Sequence, residues 1–223
     1  MRICAVVAEK NLKEFLSNLR IAQKQADWVE LRADYIKNLK PEHISAIKRA
    51  VKKSSIFTCR KKSEGGKFPG AEKERLAILN TALKSGFDFV DIELPAISKI
   101  KIPGGPNGSK IICSYHDFKK TPALPKLKDV VKKMGVSKAN IMKIVTMVNN
   151  EKDNQKLFEL LASRKKNQEM IVLGMGEKGK ITRLLSPLWG GFLTFASIGK
   201  TTAPGQLTVK ELKNVYRKMG IIK

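Results

Sequence analysis

The sequence predicts an α/β fold, a single-domain (β/α)₈ TIM barrel with eight parallel strands over residues 1–223. Short runs rich in Val, Ile, Leu and Phe alternate with longer amphipathic segments along the whole chain, which is typical of a parallel sheet with crossover helices. Eight such runs can be counted, and an eighth strand favours a closed barrel over an open doubly wound sheet. A length of 223 residues also suits one barrel.

The eight predicted strands are spaced so that a helix fits between most consecutive pairs. They cover residues 2–7, 28–33, 55–60, 88–93, 110–115, 140–147, 170–175 and 191–197. The connection between the fourth and fifth strands is the exception, because residues 93–110 leave room for only a short helix.

Local signals mark where several of the predicted helices begin and end. Pro41 suits the first position of the second helix, where its missing N–H is not needed. Gly86 suits a left-handed C-terminal cap after the third helix. Thr208 and Glu211 have the spacing of a capping box and predict a final helix over 209–219.

Composition predicts a soluble globular protein, with 42% hydrophobic and 29% charged residues. The first apolar run, 3–8, is too short and wrongly flanked for a signal peptide, and no stretch approaches the roughly 18 apolar residues of a membrane span. We expect a cytoplasmic protein with no membrane partner. Cys4, Cys59 and Cys113 have no paired spacing, so we interpret them as small core residues rather than disulfide or zinc ligands.

The formal net charge of +24 raises the possibility of an anionic partner such as nucleic acid. The lysines, however, are spread over nearly every predicted helix and are not gathered in one basic arm. No nucleic-acid-binding motif accompanies them, so we expect no nucleic acid partner and interpret the charge as a solvated surface. Such a surface would also attract a carboxylate substrate, with an effect that salt screens.

Catalytic groups of such barrels lie at the carboxyl ends of the strands, so ionisable residues there are the candidates. The second to sixth strands each end with such residues or carry one, namely Glu30 and Arg32, Arg60, Asp91 and Glu93, His116, and Lys143. Glu64 follows closely after the third strand. Their positions predict a polar site at one rim of the barrel.

Lys143 is the charged residue within the apolar run 141–148. Burial disfavours the charged form of an amine, and a free amine can attack a carbonyl to form a Schiff base. The alternative is that Lys143 lies near the start of the strand and extends to solvent at the barrel floor. The strand pattern leaves both interpretations open.

His116 is one of only two histidines, and the other, His43, is expected at the surface in the first turn of a helix. A histidine at a strand end can move a proton near neutral pH, and Glu64 in a neighbouring loop could orient its ring. Asp117 would point the other way on a strand, which favours Glu64 as the partner. A purely structural role for His116 is the alternative.

The segment 197–207 leaves the eighth strand through small residues, a proline and two glycines, as a mobile lid would. Thr202 and Gln206 within it could both offer hydrogen bonds to a polyhydroxylated ligand. An ordinary loop leading to the last helix is the alternative.

Several segments in order along the whole chain resemble the type I 3-dehydroquinate dehydratase family. They are VELRAD (29–34), FTCRKKSEGG (57–66), VDIEL (90–94), SYHDF (114–118), IMKIVTM (141–147), LGMGEKG (173–179), ITRLLSP (181–187) and TAPGQL (202–207). The resemblance implies a lyase that converts 3-dehydroquinate to 3-dehydroshikimate plus water, in the shikimate pathway of aromatic amino-acid biosynthesis. It implies no cofactor and no metal, and it suggests a homodimer.

The resemblance also implies a role for each site residue. Lys143 would form an imine with the ketone of the substrate, His116 would move the protons, and Glu64 would position His116. Arg183 resembles the arginine of the family that binds the substrate carboxylate. The other residues would hold the ring and its hydroxyls or pack in the pocket, namely Glu30, Arg32, Arg60, Met175, Thr202 and Gln206. Thr202 departs from the serine common in the family, which keeps the hydroxyl and adds a methyl group.

Two other functions compete with this one. A class I aldolase acting on a phosphorylated sugar would share the lysine but would need a glycine-rich phosphate site after the seventh and eighth strands, which LGMGEKG could imitate. A basic nucleic-acid-binding protein without catalysis would explain the charge. It would not explain why Glu64, His116 and Lys143 are predicted at one rim.

Overall fold

The computed structural model describes residues 1–100, 108–137, 139–199 and 201–222, and strands alternate with helices throughout them. The strands are β1 (Ile3–Val7), β2 (Trp28–Arg32), β3 (Ser54–Thr58), β4 (Phe89–Glu93), β5 (Lys110–Asp117), β6 (Ile141–Met147), β7 (Glu169–Met175) and β8 (Thr194–Ser197). The α-helices are α1 (Leu12–Gln25), α2 (Pro41–Ala50), α3 (Glu72–Lys84), α4 (Leu124–Gly135), α5 (Glu151–Ala162), α6 (Lys180–Leu185) and α7 (Val209–Lys218).

All eight strands form one parallel sheet in the order β7-β6-β5-β4-β3-β2-β1-β8. The first strand, β1, pairs with β2 on one side and with β8 on the other, which bends the sheet round on itself. Phe192, just before β8, donates a backbone hydrogen bond of 2.7 Å to the carbonyl oxygen of Met170 in β7. The sheet is thus a near-closed barrel surrounded by helices, as the sequence predicts.

The alternation of side chains along each strand divides the core into an inner and an outer part. Val6 and Ile171 belong to an apolar cluster built from strand residues inside the barrel. Ala5 and Val7 flank Val6 on β1 and face the other way, so they pack outward with Phe15 of α1. Parallel strands in a barrel are covered on both faces, which explains why the strands read as nearly continuous apolar runs.

The predicted helix signals are found where the sequence places them. Pro41 begins α2, and Gly86 has a φ of 75°, the left-handed conformation that glycine adopts without strain. The hydroxyl of Thr208 accepts from the backbone N–H of Glu211 at 3.1 Å, and the Glu211 carboxylate accepts from the N–H of Thr208 at 2.7 Å.

Within the described residues, no helix has the length and apolar character needed to cross a membrane.

The connection from β4 to β5 is short, as predicted, because its helical part is one 3₁₀ segment, Leu94–Lys99. The next residues, 101–107, fall outside the described part of the chain. Ser109 then leads into β5, and its N–H donates to the carbonyl oxygen of Leu83 at 3.2 Å. This contact fixes the start of β5 against the end of α3.

Three predicted strand boundaries differ from the structure by two residues or more. The fifth strand continues to Asp117, two residues beyond its predicted end. The third strand ends at Thr58, so Arg60 lies in the loop that follows and is free to turn toward the barrel interior. The last strand begins at Thr194, three residues later than predicted. Gly190, with a φ of 87°, forms a turn there, and pairing with β1 starts only after it.

The three cysteines are buried and unpaired, which confirms their interpretation as core residues. Burial raises the pKa of each thiol, for Cys113 to about 12. A thiol that stays protonated at neutral pH is a poor nucleophile. Cys4, Cys59 and Cys113 therefore serve packing.

Candidate active site

One cavity at the carboxyl ends of the strands collects every side chain that the sequence predicts for the site. These ten residues are Glu30, Arg32, Arg60, Glu64, His116, Lys143, Met175, Arg183, Thr202 and Gln206. The lining is completed by Gly65, Phe118, Val145, Leu173, Phe195 and Ala203. Because parallel strands bring their carboxyl ends to the same rim, residues far apart in sequence converge there.

Lys143 lies on β6 beneath the cavity and is only 5% exposed. Its Nζ is 3.0 Å from Oδ2 of Asp91, 3.4 Å from Oε1 of Glu30 and 4.2 Å from the ring centroid of Phe195. The side chain therefore points toward the predicted site and not to solvent at the barrel floor. Burial disfavours the ammonium, and two carboxylates and an aromatic face offset that penalty.

Asp91, on β4, contacts two of the cations of the site, Lys143 and Arg60. Besides Lys143, it contacts Nη2 of Arg60 at 2.7 Å and accepts a hydrogen bond from the Ser114 hydroxyl at 2.6 Å. Burial raises the pKa of Asp91, but the charges of Arg60 and Lys143 outweigh burial and hold the pKa far below its usual range. Asp91 is therefore a fixed anion at neutral pH.

Arg60 is predicted to hold the substrate, and the structure shows that its guanidinium also has partners inside the protein. Nη1 donates to the Ser114 hydroxyl at 2.6 Å and lies 3.4 Å from Oε1 of Glu93. Glu93 in turn accepts from Nη1 of Arg75 at 2.7 Å and from the backbone N–H of Lys61 at 3.0 Å. This buried chain of ion pairs fixes the loop after β3, on which Arg60 and Glu64 lie.

His116, on β5, is paired with Glu64, and its Nδ1 lies 3.1 Å from Oε2 of the carboxylate. Burial lowers the pKa of His116 well below its ordinary value, and the cations Arg60 and Lys143 lower it further. The imidazole is therefore neutral at neutral pH. Burial raises the pKa of Glu64 to about 7. When Glu64 is ionised it accepts from Nδ1–H, which leaves Nε2 free to take a proton.

Phe118 and Gly65 shape the wall beside this pair. The ring of Phe118 stacks on His116 with a centroid distance of 6.4 Å. Gly65 has a φ of 77°, and a Cβ there would lie only 2.2 Å from the Phe118 ring. Glycine is thus required at 65 for the chain to bring Glu64 next to His116 beneath Phe118.

Arg183, on α6, is 2% exposed and lines the same cavity. Its Nε and Nη2 have no hydrogen-bond partner among the described residues. Burial lowers the pKa of Arg183 to about 10, so the guanidinium still carries its charge at neutral pH. A buried, charged and unpaired guanidinium is costly unless an anion binds it.

Glu30 and Arg32, at the end of β2, have partners of their own. Glu30 accepts a hydrogen bond of 3.0 Å from the Thr58 hydroxyl, and Arg32 donates to both oxygens of Asp34 at 2.9 and 2.8 Å. Their predicted role in holding the substrate ring stays a prediction.

Within the described part of the chain, no three of the acidic, histidine and cysteine side chains are grouped to hold a metal ion.

Residue 200 of the predicted lid, 197–207, lies outside the described residues, and Thr202, Ala203 and Gln206 from the rest of the loop line the cavity. Gln206 is 7% exposed, and its Oε1 accepts from the N–H of Thr202 at 2.9 Å and from its hydroxyl at 3.2 Å. The carbonyl oxygen of Pro204 accepts from the N–H of Gly176, directly after β7, at 3.2 Å. The Oε1 of Gln206 is thus engaged, and its amide nitrogen is the group it could present to a ligand.

We expect Gln206→Ala to lower kcat/KM roughly 10- to 100-fold, about 1.4–2.7 kcal/mol, because hydrogen bonds to a bound polar ligand and the contact to Thr202 are lost. Lys143 should still be trapped by borohydride, since imine chemistry does not need this amide. Thr202→Ser is the matched control and should change activity only slightly, because it keeps the hydroxyl that bonds Gln206. Steady-state kinetics of both variants measure the difference.

A second measurement tests whether the segment 197–207 moves. Ligand that holds the loop against the rim should slow proteolysis within it. Equal cleavage with and without the reaction product would show an ordinary loop.

The sequence predicts the ten lining residues named above but assigns no role to Asp91 or Ser114. A signal was available for Asp91, because it and Glu93 stand two apart on an otherwise apolar strand and so face the same side. Ser114 offered none, since a serine within an apolar strand is common. Only the distances across the barrel identify Asp91 as the partner of Lys143.

A near-closed eight-stranded parallel barrel is typical of a Schiff-base lyase when its cavity holds a buried lysine, a histidine–glutamate pair and an arginine that lacks a partner among the described residues. The family model described as type I 3-dehydroquinase matches residues 3–223. The chain belongs to the type I 3-dehydroquinate dehydratase family.

Individual relatives agree with this assignment. A 3-dehydroquinate dehydratase of Coxiella burnetii is 44% identical over 218 residues, which cover 97% of this chain and 93% of that protein. The crystal structure of 3-dehydroquinate dehydratase from Geobacillus kaustophilus matches with a TM-score of 0.90 and 26% identity, over 98% of this chain and 91% of that one. The type I enzyme of Clostridium difficile, solved with covalently modified comenic acid, matches with a TM-score of 0.85 and 25% identity, over 98% of this chain and 92% of that one.

Proposed function

We propose that this barrel dehydrates 3-dehydroquinate to 3-dehydroshikimate with Lys143, His116 and Glu64 as its catalytic groups. Membership of the family supplies the reaction, its Schiff-base class and its place in the shikimate pathway. The observation that carries the residue assignment is the unpaired guanidinium of Arg183 in the same cavity as the buried amine of Lys143. A ligand with both a carboxylate and a ketone satisfies both groups.

The reaction begins at Lys143. The ammonium of Lys143 gives up a proton, and the resulting amine adds to the ketone carbon of the substrate. The ketone oxygen takes up this proton and a second one from the nitrogen and leaves as water, so a protonated imine remains, which withdraws electrons from the neighbouring carbon. Neutral His116 then takes a proton from that carbon, and the electron pair moves toward the nitrogen to form an enamine.

His116 next delivers its proton to the departing hydroxyl, which leaves as water while the electron pair returns and forms the new C=C bond. Hydrolysis of the imine releases the product and regenerates Lys143. Glu64 holds the His116 ring through Nδ1, so that the same nitrogen, Nε2, both accepts and donates the proton.

Arg183 binds the carboxylate of the substrate, since a guanidinium fork suits a planar anion. The remaining predicted residues surround the ring, namely Glu30, Arg32, Arg60, Met175, Thr202 and Gln206.

The family assignment decides against an aldolase for phosphorylated sugars, so the glycine-rich segment after β7 is not needed for phosphate. We also propose that residues 1–223 form one catalytic domain and that the protein is a cytoplasmic homodimer. Light scattering of the purified protein tests whether it is a dimer.

We expect Arg183→Met to lower kcat/KM on the order of 10²-fold, because hydrogen bonds to a charged group contribute about 1.5–3 kcal/mol. The same variant should melt at an equal or higher temperature, since an unpaired buried charge is replaced by an apolar side chain of similar length. Kinetics and thermal melting of the ligand-free protein measure the two effects. A purely structural arginine would lose stability on replacement, and that outcome would contradict the assignment.

The matched test changes the substrate and not the protein. An analogue that keeps the ring ketone but lacks the carboxylate should be turned over equally by wild type and by Arg183→Met. If wild type keeps its advantage on the analogue, Arg183 acts on some other part of the ligand.

A further inference from the structure

Lys143 has one neighbour to which neither the sequence nor the proposed mechanism gives a task. Asp91 is 1% exposed and its Oδ2 lies 3.0 Å from Nζ, closer than the 3.4 Å that separates Nζ from Glu30. Nζ is the atom that forms the covalent bond to the substrate in the proposed reaction. Asp91 therefore contacts a reacting atom directly.

The charge on this nitrogen is the same before and after the imine forms. An ammonium and a ketone give a protonated imine and one water, so a single positive charge stays on the nitrogen. The protonated imine accepts electrons far better than the neutral imine, and a buried cation needs a nearby anion to persist. An anion beside the ammonium in the free protein therefore also lies beside the imine nitrogen.

We propose that Asp91 is the counter-ion of the Lys143 Schiff base and keeps the imine protonated through the reaction. The inference rests on the proposed function, because it requires that Lys143 form the imine. Asp91 is then a catalytic residue in its own right, distinct from the groups that bind the substrate or move its protons.

Two contacts prepare Asp91 for this task. The Ser114 hydroxyl donates to Oδ1 and Nη2 of Arg60 lies against Oδ2, so the orientation of the carboxylate toward Nζ is fixed. The charge of Arg60 also keeps Asp91 ionised. An anion that is already oriented stabilises a developing cation without reorganisation during the reaction.

Glu30 is less suited to this role than Asp91. It is farther from Nζ, at 3.4 Å against 3.0 Å for Asp91. It also lies at the rim of the cavity, where it is predicted to hold the substrate ring. A carboxylate that binds substrate hydroxyls has less freedom to remain with the nitrogen.

The charged and titratable groups that face Nζ come from most of the barrel. Glu30 from β2 and Asp91 from β4 contact Nζ directly, and Cys4 from β1 and His116 from β5 lie close enough to interact with its charge. The other charged groups that line the cavity are Arg32, Arg60, Glu64 and Arg183, and Glu64 is ionised in the alkaline range of the test. His116 is neutral and Cys4 is protonated. Arg32 and Arg60 keep their charge across the tested pH range, whereas Arg183, with a pKa of about 10, loses its charge in the alkaline part of that range. The change at Arg183 is common to wild type and to the variants compared below, so it does not alter the difference between them. Protonation of the imine is therefore controlled by the two carboxylates, and the closer one is Asp91.

The test is the pH dependence of imine trapping in the whole protein. Cyanoborohydride adds hydride to the carbon of a protonated imine and converts it to a stable amine, whereas it reduces a neutral imine poorly. With 3-dehydroshikimate bound, wild type should be trapped from neutral well into alkaline pH. In Asp91→Asn the midpoint of the alkaline fall in trapping rate should move down by about one to three pH units, the effect of removing an opposite charge at this distance.

Glu30→Gln is the matched control, because it removes the other carboxylate beside Nζ. Its trapping midpoint should move less than that of Asp91→Asn. An unchanged midpoint in a folded Asp91→Asn protein, or an equal shift in Glu30→Gln, overturns the proposal. If wild type is not trapped at Lys143 at all, the proposed function itself fails, and the two failures are thereby distinguished.

Ser114→Ala provides an independent variant if Asp91→Asn does not fold. It leaves the charge of Asp91 in place and removes the hydrogen bond to Oδ1, so that only Arg60 still orients the carboxylate toward the nitrogen. The midpoint should fall in the same direction by a smaller amount. No shift in Ser114→Ala would overturn the proposal.

Discussion

Lys143→Ala is expected to abolish turnover while the barrel stays folded. The reaction loses the amine that forms the imine, and without the imine the carbon next to the ketone is too weakly acidic for His116 to deprotonate at a useful rate. The lost side chain lies among Asp91, Glu30 and Phe195, of which Asp91 keeps Arg60 as its partner. Activity is followed by absorbance of the conjugated product, and folding by circular dichroism.

Borohydride identifies the reacting amine directly. Wild type incubated with substrate or product plus borohydride should lose activity and gain the mass of the ligand on the peptide that contains Lys143, because reduction makes the imine permanent. Lys143→Ala is the matched control, since it retains every other lysine of this lysine-rich chain. Label on a different lysine, or equal label in the variant, would contradict the assignment.

His116→Ala should lose turnover on the order of 10²-fold or more, because a positioned acid–base group typically contributes that much. The variant should still form an imine with product, since Lys143 remains. Mass spectrometry after borohydride treatment separates the two steps. Nearly normal activity would require another residue to move the protons.

The pH dependence tests the contact between His116 and Glu64. The pKa of Glu64 is about 7 and that of His116 is lower, so the pair takes up its first proton near neutral pH. Once Glu64 is protonated, its O–H donates to Nδ1, and the neutral imidazole carries its own proton on Nε2. In this tautomer Nε2 can no longer accept a proton from the substrate. We therefore expect kcat/KM to fall as the pH decreases through about 7.

Glu64→Gln is the variant that isolates this effect. The amide cannot ionise, so the fall of kcat/KM on the acid side should move to lower pH, where His116 itself takes up a proton. The highest value of kcat/KM should also be lower than in wild type. An acid limb that stays at the same pH in Glu64→Gln would assign it to a different group.

Much of the fold could be predicted because the signal for each element is local. Every one of the eight strands is found within about three residues of its predicted place, and the final helix begins after the predicted capping box. The errors occur where tertiary pairing ends a strand. Arg60 is one example, since no local pattern shows that β3 stops pairing at Thr58.

The site could be predicted as a set of residues but not as a set of contacts. Glu64, His116, Lys143 and Arg183 stand out because polar groups follow apolar strands or match the family segments. Which of them meet is a separate question. The partner of Lys143, Asp91, lies 52 residues away in sequence, and Glu30 lies 113 residues away.

The barrel, the family and the rim at which the polar groups gather all follow from local patterns in the chain. Strand periodicity is set by the geometry of the extended chain, and parallel strands bring their carboxyl ends to one rim. Two features of the site depend on the folded chain: Asp91 faces Nζ of Lys143, and Arg183 has no partner for Nε and Nη2 within the described residues. Electrostatic interactions depend on distance and on burial, and both are fixed only when the barrel closes.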